Sequence, residues 1–305
     1  MRHAKSNQPV LSPLRKFDFG LIKAKLDGLL FNVSRSLERG LREASASGNL
    51  GAARDYTLLL LFVHVAINSY NAVRYLINES GPKDYLRKPA FMFVVPSINR
   101  QLMDMLFTLV YMLDDFPHRR LMYERASFRE FYESTHRFRT KYKRDPEWKH
   151  YFRVADALRK QGISELGITS AEIKNPKAIR YWPHPGGIED EPTASRPFLR
   201  WFNEWVYRDT SAEAHVSPFG LSAMARFFLT SISNPDEDLT TRREYQIYKF
   251  VHFSRTTLTV LAVATELNSF FKLGCDDSVG YLWKVMCEHV ADAQDAYEKR
   301  YSSKI

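Results

Sequence analysis

The chain has 305 residues, 45% of them apolar and 26% charged, a globular balance that excludes a disordered polypeptide. Gly (13) and Pro (14) are too few and too aperiodic for a collagen or linker, and two cysteines, Cys275 and Cys287, cannot make a disulfide framework, which fits a reducing cytosol. The formal charge of +9, from 44 basic and 35 acidic residues, favours polyanionic partners but is silent about fold.

Along the chain, helical spacing recurs and strand alternation is scarce. Met1 to Leu14 carry no continuous apolar stretch and do not read as a secretory signal. Helices are predicted from Leu21 to Ala44 and from Arg54 to Asn78. The second is the most apolar, but His64, Asn68, Asn71 and Arg74 argue for a buried helix and against a membrane span. Pro96-Ser97 is predicted to open a third helix, with Leu102, Met103, Leu106, Leu109, Val110 and Leu113 on one stripe. A basic helix should run from about His118 to Arg144, where Asp145-Pro146 breaks it. Residues 162–197 are the least regular, a long excursion with a short helix expected at Ser170 to Asn175. Helix resumes from Arg196 to about His215, continues after Pro218 over Phe219 to Ser231, and ends in two long segments, about Thr240 to Leu273 and Asp277 to Tyr301. The expectation is an all-α, multi-helix bundle: a basic N-terminal extension over 1–50, then one domain over 51–305 carrying the loop 162–197.

The charge is unevenly distributed. Residues 1–54 hold 10 Lys/Arg against 4 Asp/Glu, residues 117–160 hold 13 against 6, and the remainder sums to −4. The second basic segment is interleaved with Phe128, Phe131, Tyr132, Phe138, Tyr142, Trp148, Tyr151 and Phe152, the mixture that stacking and phosphate contact with RNA require. Arg129, Arg137, Arg139, Lys141 and Lys143 are its candidate RNA-binding residues.

Nucleotide-binding glycine loops, the nucleophile elbow and the zincin motif are all missing. Glu133/His136 and Glu147/His150 have the Glu-x-x-His spacing of di-iron bundles. They lie close together among cations, so neither a metal nor any other cofactor is expected. Arg-x4-6-His pairs occur three times, as Arg129/His136, Arg144/His150 and Arg208/His215. Asp145-Pro146 interrupts the second, and the first sits on a highly charged helix. At 100° per residue Arg208, Ser211 and His215 project from one side of their helix. A guanidinium, a hydroxyl and an imidazole in line suit a phosphate: arginine can hold its oxygens bidentately, and histidine can move a proton near neutral pH.

The pattern Tyr207-Arg208-x2-Ser211-x3-His215-x-Ser217, with Asp209 directly after the arginine and Arg100 and Asp104 on an upstream helix, resembles a bacterial all-helical family similar to the HEPN (higher eukaryotes and prokaryotes nucleotide-binding) superfamily. The resemblance covers about residues 54–300. It implies a metal-independent, cytoplasmic endoribonuclease, usually a homodimer, in a phage-defence or toxin setting with an antitoxin or defence-system partner protein. The implied chemistry is attack of an RNA 2′-hydroxyl on the adjacent phosphate, with Arg208 stabilising the phosphorane, His215 as general acid or base, and Ser211 beside them. Asp209, Tyr207, Arg100 and Asp104 would support that site. The sequence departs toward the family's longest Arg–His spacing, and carries an aspartate at 104 where glutamate is more usual.

A second reading stands beside it. The same arginine, serine and histidine would also suit a buried network that fixes helix packing in a non-catalytic nucleic-acid- or protein-binding module.

Overall fold

The computed structural model describes residues 19–79, 90–214 and 238–304. About 85% of them are helical, no strand occurs among them, and the protein is all-α. The chain divides into two compact units, one holding the described residues up to Val110 and from Ser195 onward, the other Tyr111–Ala194.

In the first unit α1 (Phe19–Ala46) and α2 (Leu50–Glu79) form a tight antiparallel pair. Ile22, Leu26, Leu29, Val33 and Leu37 make the i, i+4, i+7 stripe that α1 buries. Leu59, Phe62, Val63, Ala66, Tyr70 and Val73 do the same for α2. Gly40 sets the spacing at one end, because a Cβ there would meet the Tyr56 ring at 2.4 Å. Arg74 reaches back to both carboxylate oxygens of Asp27, at 3.2 and 3.0 Å. Leu50–Ile77 is long and apolar enough to cross a membrane by length and composition. Its outer face carries Leu61, His64, Val65 and Tyr75.

The centre of this unit is α10 (Asp238–Phe271), where every residue from Thr256 to Asn268 is buried. α1, α2 and α11 (Asp276–His289) pack around it. Its buried polar side chains over this stretch are Thr256, Thr257, Thr259, Thr265, Glu266 and Asn268, with Glu266 the charged one. Arg300 donates to its two oxygens at 2.5 and 3.0 Å and Lys304 donates at 2.6 Å, which ties the chain's end to the core. Trp283 completes the join, stacking on Tyr301 at 4.5 Å and donating to Thr265 Oγ1 at 2.9 Å. The predicted single helix from Asp277 to Tyr301 is broken at Val290, whose extended backbone separates α11 from α12 (Ala291–Ala296) and a π turn over Tyr297–Tyr301.

α3 (Ala90–Leu113) begins earlier than predicted, so Pro96 lies inside it. The apolar run before the proline continues the same helix, and the missing N–H removes one bond from the ladder. Further along, α8 (Arg196–Phe202) passes through a π turn at Asn203–Tyr207 directly into α9 (Arg208–Ala214). The helix predicted over Phe219 to Ser231 lies outside the described residues.

The second unit is built on the helical hairpin of α4 (Phe116–Tyr142) and α5 (Trp148–Glu165), turned at Asp145-Pro146 as the sequence predicts. Phe128 packs with Leu166, Ile168 and Ile179 in its core, and Gly162 admits the Phe128 ring, which a Cβ would meet at 2.7 Å. The excursion after α5 is ordered. It holds α6 (Ser170–Lys174), opened by a capping box between Thr169 and Glu172, a 3-10 turn at Pro176–Ala178 and α7 (Pro185–Ile188).

Three arginines of α4 fasten this excursion. Arg119 donates to the carbonyls of Tyr111 and Pro192 at 2.7 and 2.9 Å, Arg125 donates to the carbonyl of Leu166 at 2.9 Å and pairs with Glu172, and Arg129 donates to the carbonyl of Ile179 at 2.5 Å. Trp182 is held edge-on between Tyr111 and Tyr123.

A candidate polar cluster on α3 and the α8–α9 rod

The first unit brings together four of the residues singled out from sequence. Arg100 on α3 donates from Nη1 to Ser211 Oγ at 2.7 Å and from Nη2 to Tyr207 Oη at 2.9 Å. Its guanidinium also lies 5.3 Å from the centre of the Tyr207 ring, and its Nε is 3.8 Å from Asp104 Oδ2. Residues more than a hundred positions apart thus share one hydrogen-bonded cluster, and Arg100 is its hub.

The local fold explains the aim of each group. Arg100 and Asp104 stand one turn apart on α3, on the same i, i+3, i+4, i+7 face as the buried Met103 and Phe107. The π turn closes with the Arg208 N–H bonded to the Asn203 carbonyl, five residues back, and such turns recur at functional sites. It leaves Val206 and Tyr207 buried, with the Phe107 ring edge-on to Tyr207 at 5.6 Å, while Arg208 is exposed. Regular α geometry then holds until Ala214, so Arg208 and Ser211 remain one turn apart, Ser211 half-buried at the edge of the packed face.

Burial dominates the electrostatics. It raises the Asp104 carboxyl above its ordinary value, against the opposing hydrogen bond from Tyr207 and the charge of Arg100. Burial, followed by the neighbouring Asp104 charge, pushes the Tyr207 hydroxyl up to about 12. Tyr207 is therefore a neutral donor at physiological pH and no base. The cluster presents hydroxyls and positive charge, a set suited to holding a phosphate oxygen. His215, which the sequence reading assigns to proton transfer, lies outside the described residues, as does the side chain of Asp209.

A polar layer that sequence reasoning missed backs the cluster. The single Thr256 O–H faces two acceptors, Asn99 Oδ1 at 2.6 Å and the His252 carbonyl at 2.8 Å, and Asn99 Nδ2 donates to that same carbonyl at 3.0 Å. Arg255 reaches Thr210 Oγ1 at 3.3 Å, and Thr210 donates to the Val206 carbonyl at 3.0 Å. Asn99, Thr210, His252 and Thr256 are all buried. Their one sequence signal is a polar residue at an apolar position of a helix, which by itself does not name a partner.

The proposed RNA-binding residues fall in the second unit and separate into two kinds. Arg129 is only 6% exposed; besides the Ile179 carbonyl it bonds Glu133 at 2.9 Å and lies against the Tyr181 ring. It is a structural anchor, because its donors are consumed by the excursion. Arg139 is half-exposed and pairs with Asp156 at 2.9 Å. Arg137, Lys141 and Lys143 are exposed. A groove of about 920 Å³ opens between α4 and the excursion, lined by Glu130, Glu133, His136, Arg137, Lys174 and Lys177, a mixture of charges with no single sign. Among the described residues no group of three His, Cys, Asp or Glu side chains is placed to hold a metal.

Comparison with protein-family models, with characterised proteins and with solved structures finds no match to this chain.

Proposed function

We propose that the protein is a metal-independent, HEPN-like endoribonuclease acting as a homodimer, in which Arg208 and His215 promote attack of an RNA 2′-hydroxyl on the neighbouring phosphate. The observation that carries the reading is the bond between Arg100 and Ser211, 111 residues apart in sequence. It joins the upstream Arg-x3-Asp pair to the helix bearing Arg208, the two parts of the pattern on which the resemblance rests. Arg208 is exposed at the start of α9, one turn before Ser211, the partner of Arg100, and is available to a phosphate. The exposed cations of α4 supply attraction for the RNA backbone. Incubation of labelled RNA with the purified protein in EDTA tests the proposal. The wild type should leave 2′,3′-cyclic phosphate ends, whereas Arg208→Ala and His215→Ala should each lose activity. Equal cleavage by all three proteins, or none by the wild type, overturns it.

One observation favours the non-catalytic alternative. Arg100 already occupies Ser211 and Tyr207, so the cluster also works as a lock between α3 and α9. In that case Arg208→Ala leaves RNA processing unchanged and Arg100→Ala acts on stability alone.

A further inference from the structure

The basic segment of α4 and α5 does two different things along its length. Near the excursion the arginines are inward-facing anchors. Toward the hairpin's turn the charge is outward: Arg137, Lys141, Lys143, Arg144, Lys149 and Arg153 are all exposed. Between residues 137 and 153 there are seven Lys/Arg and two acids, Asp145 and Glu147. The positive surplus is therefore concentrated at the tip.

The same tip is closed by aromatic rings in place of an aliphatic core. Tyr142 and Trp148 stack in parallel across the turn, 4.3 Å apart and 2° from coplanar. Phe138 lies 5.5 Å from Trp148 and 6.1 Å from Tyr151, with an edge-on angle of 72° in the second pair. The packing uses one side of this group. Phe138 keeps 38% and Tyr151 36% of its surface in water, Phe138 one turn before Lys141 on α4 and Tyr151 in the first turn of α5 beside Lys149. Closing a hairpin requires apolar contact but no exposed ring; two exposed rings ringed by cations on both helices exceed that requirement.

The geometry points to the α4–α5 tip as a binding surface for single-stranded nucleic acid, with Phe138 and Tyr151 stacking on bases and Arg137, Lys141 and Lys143 neutralising phosphates. A duplex keeps its bases stacked on each other and offers these rings nothing, so single strands are favoured. An anionic membrane would satisfy the cations, but rings held more than half within the protein cluster have little apolar surface to insert. The surface rests on RNA as the partner but not on cleavage, and it assigns affinity to a part of the chain outside the Arg208 cluster.

Binding is measured by fluorescence anisotropy with a labelled 2′-O-methyl oligonucleotide, which lacks the attacking hydroxyl and so reports affinity whether or not the protein is a nuclease. The triple variant Arg137→Gln/Lys141→Gln/Lys143→Gln, all surface positions, should reduce the slope of log affinity against log salt by about 2, at roughly 0.7 per phosphate contact on a single strand. Tyr151→Ser and Phe138→Ser should each weaken binding about tenfold, within the range of one lost base stack. Unchanged affinity and salt slope in the triple variant overturn the proposal even if a ring variant fails to fold. Equal affinity for duplex, or binding to phosphatidylserine vesicles and not to the oligonucleotide, also overturns it. Cleavage by the wild type with oligonucleotide affinity unchanged in every tip variant would sink this surface alone; binding retained with no cleavage by the wild type would sink the ribonuclease reading alone.

Discussion

Removing the Arg100 guanidinium is the most informative perturbation of the polar cluster. Arg100→Met keeps the aliphatic stem and deletes two charge-assisted hydrogen bonds, to Ser211 at 2.7 Å and Tyr207 at 2.9 Å. Bonds to charged groups contribute roughly 1.5–3 kcal/mol each. The Arg100 side chain is 27% exposed, however, so water can partly replace it at the half-buried Ser211. Loss of the cation also leaves the Asp104 carboxylate without its balancing charge. The expected net destabilisation is about 2 kcal/mol, or a fall in melting temperature of about 4–8 °C for a domain of this size. Arg100→Lys retains the charge but presents a point donor that satisfies one hydroxyl at a time, so it should lie about midway. Scanning calorimetry on the three proteins reads the series. A methionine variant melting with the wild type, or a lysine variant as unstable as methionine, would refute the claim that the two-pronged geometry of Arg100 is what joins α3 to α9.

The remaining perturbations probe the anchors. Glu266→Gln leaves Arg300 and Lys304 without their buried counter-charge and should destabilise by about 3–5 kcal/mol, read from the urea midpoint; an unchanged midpoint would mean the chain's end is not held by this group. Arg129→Ala should expose residues 170–185 to limited proteolysis while single-strand affinity stays as in the wild type. An unaltered digest with weakened binding would instead return Arg129 to the list of RNA contacts. For Asp104, burial raises the folded-state carboxyl above its ordinary value of 3.8, so the folded chain holds this proton where the unfolded chain has lost it. Stability from this group is thus present below 3.8 and lost as pH rises through the folded value. Asp104→Asn should match the wild type in acid and gain on it toward neutrality, and a difference independent of pH would contradict the assignment.

Most helices were legible because their apolar stripes are long and their stops are chemically plain, such as Asp145-Pro146. The misplaced features are those in which tertiary packing overrides a local signal. Pro96 reads as a helix start, but the apolar run before it continues the helix. The break at Val290 carries neither glycine nor proline, and nothing in the order of residues from Asn203 to Tyr207 announces a π turn. The site was legible as a set of residue types on one helix face. Its hub was not: the spacing of Arg100 and Asp104 gives them a shared face, but only folding can supply Tyr207 and Ser211 as partners. Arg129 shows the converse. Sequence reads an arginine in a basic segment as solvated, and burial came from an excursion whose carbonyls sequence could not place.

The distribution of side-chain types along α4 follows from what each end must do. The groups that hold the excursion, Arg119, Arg125 and Arg129, are all arginines, and several of their partners are backbone carbonyls at fixed positions. A planar fork can meet two such acceptors at once with little loss of freedom, whereas an ammonium on a four-carbon stem would meet one and lose more. Lysine enters α4 only near its end, at Lys141, where the surface is open. On the proposed surface a compact, hydrated charge suffices there for a phosphate chain that has no fixed position. The +7 of residues 117–160 is therefore a poor measure of affinity for polyanions, because several of those charges are spent on holding the protein together. The proposed nucleic-acid surface draws on the smaller exposed set at the turn, beside two half-exposed aromatic rings.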